Sequence, residues 1–289
     1  MLPRLIAWGQ ERTSVRAMLL TSSRTDPNAV VDIFSDYDII LAVKDIHPFF
    51  ENRDWLEDFG QVLLVYRDPI EMEHGHERFR YITQYEHGMK IDFTLWPVQL
   101  LKTIACSSPL PDELDGGYMV LLDKDYIAAN LQLPRYHAHI PVRPSEAIYL
   151  QVIEEFLHEA TYVAKHLWLG ELMPAKYNLD HAMKQIHVRK MLEWRIEIDH
   201  NWSAKPGAYG RGLQRHLSPD VWAEFQATYV GAETEENWQA LFGTLSLFQK
   251  VATEVGRGLG YEYPNDQHQR ALAYLQRVKS LDRKAQSFE

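Results

Sequence analysis

The apolar residues of this chain change their periodicity near residue 140. Before Leu133 they fall in short runs bounded by polar turn residues, and after Pro144 they recur every three or four positions. Runs such as VRAMLLT (Val15–Thr21) and DYDIILAV (Asp36–Val43) have the length and β-branched content of buried strands. Further strands are predicted at Gln61–Tyr66, Arg78–Tyr85, Lys90–Trp96 and Met119–Leu122, with His87-Gly88 supplying a hairpin turn between two of them. Helical patterns at Leu5–Glu11, Trp55–Phe59 and Val98–Ala105 lie between the strands. Beyond the Pro-bearing segment Leu133–Pro144, Tyr149, Ile153, Phe156, Ala160, Val163 and Leu167 mark one stripe of a helix for which Ser145 is the N-cap. Asn178–His200, Pro219–Tyr229, Glu235–Leu259 and Asp266–Val278 add further helices. The pattern predicts an α+β chain: a mixed sheet with helices over residues 1–142, then an all-α helical bundle over residues 143–289.

Composition narrows the partners. The chain is 46% hydrophobic with a single cysteine, Cys106, which excludes an intrachain disulfide and a multi-cysteine zinc site and fits a reducing, cytoplasmic setting. No uncharged apolar run approaches the roughly 20 residues of a membrane helix, and the N-terminal MLPRLIAWGQ lacks the small-residue cleavage site of an export signal. Neither a membrane partner nor a nucleic acid is expected. A formal charge of −10 disfavours a phosphate backbone and attracts a cationic small molecule.

The chemistry gathers in two strands and one turn. Side chains alternate along a strand, so Asp36 and Asp38 point to one face with Cα atoms about 6.5–7 Å apart, while Tyr37, Ile39, Leu41 and Val43 point to the other. In KIDFTLW the same alternation puts Lys90, Asp92 and Thr94 opposite Ile91, Phe93 and Leu95. Carboxylates crowded on one face repel unless solvated or bound to a cation, and hard divalent ions take carboxylate oxygens. Asp36, Asp38 and Asp92 are therefore candidate Mg²⁺ ligands. Upstream, the strand ending at Thr21 runs into Ser22-Ser23-Arg24, whose hydroxyls, backbone N–H groups and guanidinium suit a phosphate. On the helix opened by Ser145, the residues Glu155, His158, Tyr162 and Lys165 form a polar stripe beside the apolar one. An exposed face explains that stripe equally well. His74 and His76 lack a third ligand and read as a polar loop, and the glycine-rich Gly207–Gly212 follows no strand and reads as a connection.

TSSRTDPNAVVDIFSDYDIILAV (Thr21–Val43) resembles the signature of the bacterial aminoglycoside 6-adenylyltransferases, or streptomycin adenylyltransferases, of the polymerase-beta-like nucleotidyltransferase superfamily. The likeness continues through DWLEDFG (Asp54–Gly60), HGMKIDFTLWP (His87–Pro97), EEFLHEATYVAKHLWLGEL (Glu154–Leu172), Asp180-His181, EWRIEI (Glu193–Ile198) and the closing ENWQALF and YEYP runs. This resemblance implies a polymerase-beta-like N-terminal domain, a helical substrate-binding domain, and transfer of AMP from ATP to an aminoglycoside hydroxyl in the cleft between the two domains, with pyrophosphate released. By motif, Asp36, Asp38 and Asp92 would hold two Mg²⁺ ions, and Ser22, Ser23 and Arg24 would form the phosphate loop. Tyr162 and Lys165 would serve the nucleotide, and Glu155 and Asp180 the acceptor or its proton. The family usually has Gly-Ser where this chain has Ser22-Ser23, Pro at the position of Thr161 and Lys at that of Arg211. Two other readings stay open: the same transfer to a different acceptor, and a nucleotide-binding pseudoenzyme.

Overall fold

The computed structural model describes residues 1–288 and divides into two compact units, residues 1–138 and the residues from His139 onward. The first unit runs α1 (Leu2–Glu11), β1 (Val15–Thr21), a tight helical turn at Ser22–Arg24, β2 (Tyr37–Val43), α2 (His47–Glu51), a second tight turn at Asp54–Phe59, β3 (Val62–Arg67), β4 (Glu71–Glu73), β5 (His76–Tyr85), β6 (Lys90–Pro97), α3 (Val98–Ala105), α4 (Asp112–Asp115) and β7 (Tyr118–Asp123). The strands form one sheet in the order β3-β5-β6-β2-β1-β7, with β4 paired to β5. The β2–β6 pair is parallel and the other pairs are antiparallel. The predicted hairpin joins β5 to β6, and Gly88, at φ +88°, donates its N–H to the Tyr85 carbonyl at 3.0 Å. That left-handed backbone is where a side chain would be strained.

Strand alternation sorts the core into two layers. Ile39, Leu41 and Val43 join Ile91, Phe93 and Leu95 on one face, covered by Leu5 and Trp8 of α1 and by Phe49 and Phe59. Ile40, Ala42 and Trp96 take the other face, under Leu100, Leu101 and Ile104 of α3. The sheet is thus buried on both sides. The helix expected near Trp55–Phe59 is a shorter 3₁₀ segment, Asp54–Phe59. Gly60, at φ +146°, ends it at once.

The second unit is wholly helical among the described residues. The long α5 (Glu146–Leu169) opens on Ser145, whose side chain accepts the Ile148 N–H at 3.4 Å, and ends on Gly170 at φ +76°. The two ends follow from the sequence, since serine supplies an N-cap acceptor and glycine tolerates the left-handed C-terminal residue. After α6 (Leu172–Lys176) the chain forms a π-helix over Tyr177–Val188 and returns to α geometry in α7 (Arg189–Asp199). The predicted single helix over Asn178–His200 is therefore two kinds of helix in series. Short α8 (Leu213–His216) and then α9 (Pro219–Ala227), α10 (Thr234–Leu259) and α11 (Asn265–Ser280) complete the bundle.

The core of the bundle centres on Phe156 of α5 and Phe248 of α10, both fully buried, whose rings stack at 3.6 Å between centroids and 8° between planes. Truncating either ring leaves a cavity that rigid helices fill poorly. Phe156→Ala is expected to destabilise the protein by about 3–5 kcal/mol, and Phe156→Leu by clearly less, as read by chemical denaturation followed at a helical circular-dichroism band.

Candidate functional site

The polar face of the sheet continues the Ile40, Ala42 and Trp96 layer toward the strand starts, where apolar residues give way to acids. Parallel pairing sets Asp38 of β2 directly across from Asp92 of β6 and Tyr37 across from Ile91. Adjacent strands lie about 4.8 Å apart, so two carboxylates share one edge of the layer. Asp36 stands just before β2, two residues from Asp38, and the Lys90 ammonium reaches both it and Asp92. On the far flank, Thr21 of β1 pairs with Asp38, which brings the Ser22–Arg24 turn alongside the acids. The structure thus unites six of the residues picked from the sequence, Ser22, Ser23, Arg24, Asp36, Asp38 and Asp92, around the start of β2.

Charge at this site is unbalanced. Asp38 has its pKa pushed up to about 6, chiefly by burial and then by repulsion from Asp92 and Asp36; a hydrogen bond with the Ser22 side chain acts in the opposite direction. Asp92, 8% exposed, is also shifted up, first by burial, against the pull of Lys90. Its Oδ1 atom is buried and has no hydrogen-bond partner. Lys90 donates to Asp36 Oδ2 at 2.7 Å and to Asp92 Oδ2 at 3.1 Å, so one ammonium serves two of the three acids. Among the described residues no group of three or more His, Cys, Asp or Glu side chains stands in direct metal-holding geometry, and the Lys90 ammonium lies between Asp36 and Asp92. The donor set nevertheless fits a hard divalent ion. It offers three carboxylates on one face, a buried oxygen with no partner, and a lysine as the resident cation.

The turn beside the acids is built differently from a simple phosphate grip. Ser22 adopts φ +66°, a left-handed backbone that costs a non-glycine residue on the order of 1–2 kcal/mol. The serine therefore keeps the conformation that glycine would provide. Arg24 faces inward: its guanidinium donates to the carbonyls of Asp36 at 2.8 Å and Ser35 at 2.7 Å and stacks 3.8 Å over the Tyr37 ring. Arg24 thus positions Asp36, a role its spacing alone did not reveal. Lys90 is the residue missed as a functional group. Its signal was available, since it sits two residues before Asp92 on the same strand face.

Glu155, His158, Tyr162 and Lys165 do share one exposed stripe of α5, where Gln151 donates to Glu155 Oε1 at 2.8 Å and the His158 and Tyr162 rings meet edge to face at 5.0 Å. Asp180 lies apart, on the π-helix. Its two oxygens pair with Lys176 and Lys184, each at 2.7 Å. Lys184 is wholly buried, donates also to the Thr228 carbonyl and lies 4.4 Å from the Tyr229 ring centre. Burial lowers its pKa, and Asp180 is the group that opposes this. Asp180 is therefore engaged in holding a buried cation.

Two measurements probe the acids and the turn. Because Asp38 is raised above its unfolded value, protonation favours the folded state; its contribution is fully present below about pH 4 and lost as pH rises through about 6. In EDTA, Asp38→Asn is expected to stabilise the protein by about 1–2 kcal/mol above pH 6.5 and by little below pH 4, as read by denaturant unfolding across that range. Ser22→Gly and Ser22→Ala both delete the hydroxyl and differ only in tolerance of positive φ. The glycine variant is expected to be about 1 kcal/mol more stable than the alanine variant, again by unfolding midpoints.

Comparison with known proteins identifies the family. Residues 1–278 match the family described as streptomycin adenylyltransferase. The chain is 32% identical over 255 residues to an aminoglycoside 6-adenylyltransferase of Bacillus subtilis (strain 168), with 87% of each chain covered. It is 27% identical over 258 residues to an aminoglycoside 6-adenylyltransferase of Campylobacter jejuni, covering 86% of this chain and 85% of that one. The crystal structure of an aminoglycoside 6-adenyltransferase from Bacillus subtilis aligns with a TM-score of 0.49 at 26% identity, over 97% of this chain and 98% of that one. With a match that spans nearly its whole length, the chain belongs to the streptomycin adenylyltransferase family, whose members are nucleotidyltransferases.

Proposed function

We propose that this protein transfers AMP from ATP to a hydroxyl of a cationic aminoglycoside, streptomycin at its 6-position being the first acceptor to test, and that Asp36, Asp38 and Asp92 hold Mg²⁺ for the reaction. The observation that carries this reading is the register of β2 and β6, which sets Asp38 against Asp92 with Asp36 two residues away and the Ser22–Arg24 turn alongside. When bound, Mg²⁺ would polarise the α-phosphate and neutralise the departing pyrophosphate.

The chain's own groups supply the remainder. Ser22 and Ser23 offer hydroxyls and backbone N–H groups to the phosphates from the turn. Arg24 holds Asp36 in place through two carbonyls. The acceptor oxygen bonds to the α-phosphorus as the bond to the bridging oxygen of pyrophosphate breaks. Its proton passes to a carboxylate, and we assign that role to Glu155 in preference to Asp180. Glu155 lies on an exposed stripe, whereas both oxygens of Asp180 are taken by lysines. Tyr162 and Lys165, on the same stripe as Glu155, are assigned to the nucleotide, and Asp180 to holding buried Lys184. The net charge of −10 favours a cationic acceptor.

The nucleotide-binding pseudoenzyme reading was motivated by Ser22 in place of glycine. Against it stands the fact that Ser22 still forms the left-handed turn, at φ +66°, beside the three acids. Mass spectrometry of streptomycin incubated with the protein, ATP and Mg²⁺ is expected to show one added AMP, with pyrophosphate released in equal amount. Pyrophosphate release only with another acceptor would reassign the substrate, and ATP binding without release for any acceptor would sink the transferase reading for this chain. Asp36→Asn is expected to lower turnover by at least about 100-fold while leaving the circular-dichroism spectrum intact.

A further inference from the structure

Lys90 begins β6, the strand that carries Asp92, and its ammonium reaches across to the segment that leads into β2. It touches Asp36 Oδ2 at 2.7 Å and Asp92 Oδ2 at 3.1 Å, and the lysine side chain is only 30% exposed. These two oxygens belong to two of the three acids assigned above to metal. A divalent ion binds carboxylate oxygens at about 2.0–2.6 Å. An ion at Asp36 and Asp92 would therefore sit within about 4 Å of the ammonium, where like charges repel strongly in a partly buried site. The two cations exclude each other.

We propose that Lys90 is the built-in counter-ion of the carboxylate site, and that a divalent cation enters only by exchange with its ammonium. This inference rests on the reading of Asp36, Asp38 and Asp92 as metal ligands. The exchange has two consequences. Lys90 keeps Asp36 and Asp92 together, so the site is assembled before a divalent ion arrives. It also makes loading by a divalent ion alone unfavourable, so loading depends on the extra negative charge that a nucleoside triphosphate brings. Once released, the ammonium lies at the wall of a cavity it lines together with Arg24, Tyr37, Gln84 and His87, beside the turn assigned to the phosphates. Lys90 is in this sense a positioning residue that also gates the metal.

The test uses the full chain, stripped with EDTA and titrated with Mn²⁺ at constant pH without nucleotide, with free Mn²⁺ read by electron paramagnetic resonance. Lys90→Met is expected to bind Mn²⁺ at least about tenfold more tightly than the unmodified protein, and Lys90→Arg to match the unmodified protein. In EDTA, Lys90→Met should melt at a lower temperature than the unmodified protein and gain more on addition of Mn²⁺. Where the methionine variant fails to fold, Lys90→Gln keeps a hydrogen-bond donor without the charge and makes the same comparison. Equal or weaker Mn²⁺ binding by the neutral variants, with binding abolished by Asp38→Asn, would overturn the counter-ion role and leave the metal reading standing. Absence of Mn²⁺ binding in all of these proteins, with and without ATP, would overturn both.

Discussion

The parallel pairing of β2 with β6 is the constraint on which the site depends. Every other strand pair in the sheet is antiparallel, yet the carboxylates sit at this one. Parallel register puts the starts of both strands at the same edge, so the polar residues that open each strand meet instead of lying at opposite ends. Asp38 and Asp92 become neighbours for that reason, and their apolar successors on the same face, Ile40 and Ala42 with Trp96, run down into the core under α3. The same alternation that buries the strands collects the acids.

Three side chains manage the electrostatic cost of that collection. Ser22 interacts with Asp38 by a side-chain hydrogen bond from a left-handed turn, Arg24 ties the Ser35–Asp36 backbone to the turn, and Lys90 joins Asp36 to Asp92. Even so, Asp38 stays shifted upward and Asp92 Oδ1 lacks a partner. A site that leaves burial and repulsion only partly compensated binds a cation more strongly than one already neutral. The second unit shows the opposite choice. Buried Lys184 is met by Asp180, a carbonyl and an aromatic ring, and this arrangement braces the π-helix against the segment after α9.

Much of this was legible before the structure, for identifiable reasons. Strand alternation depends only on backbone geometry, so the common face of Asp36 and Asp38 and the polar face of Lys90, Asp92 and Thr94 follow from the sequence. Ser145 and Gly170 bound α5 through local capping rules that need no tertiary context. The α+β class and the family resemblance rest on patterns of the same local kind. The π-helix at Tyr177–Val188 was not legible, because its apolar positions fit an ordinary helical period closely enough to hide the change.

By itself the sequence determined the long strands and helices and which face of β2 and β6 carries charge, since those depend on neighbours along the chain. Only the tertiary structure decided that β6 lies beside β2, that the pair is parallel, and that the Ser22–Arg24 turn flanks both. Strand order and direction depend on how two apolar layers close over a sheet, which no local pattern encodes. The roles of Arg24 and Lys90 belong to the same class. Each looks along the chain like a free cation, and only through-space contact shows that one holds a backbone segment and the other holds two acids together.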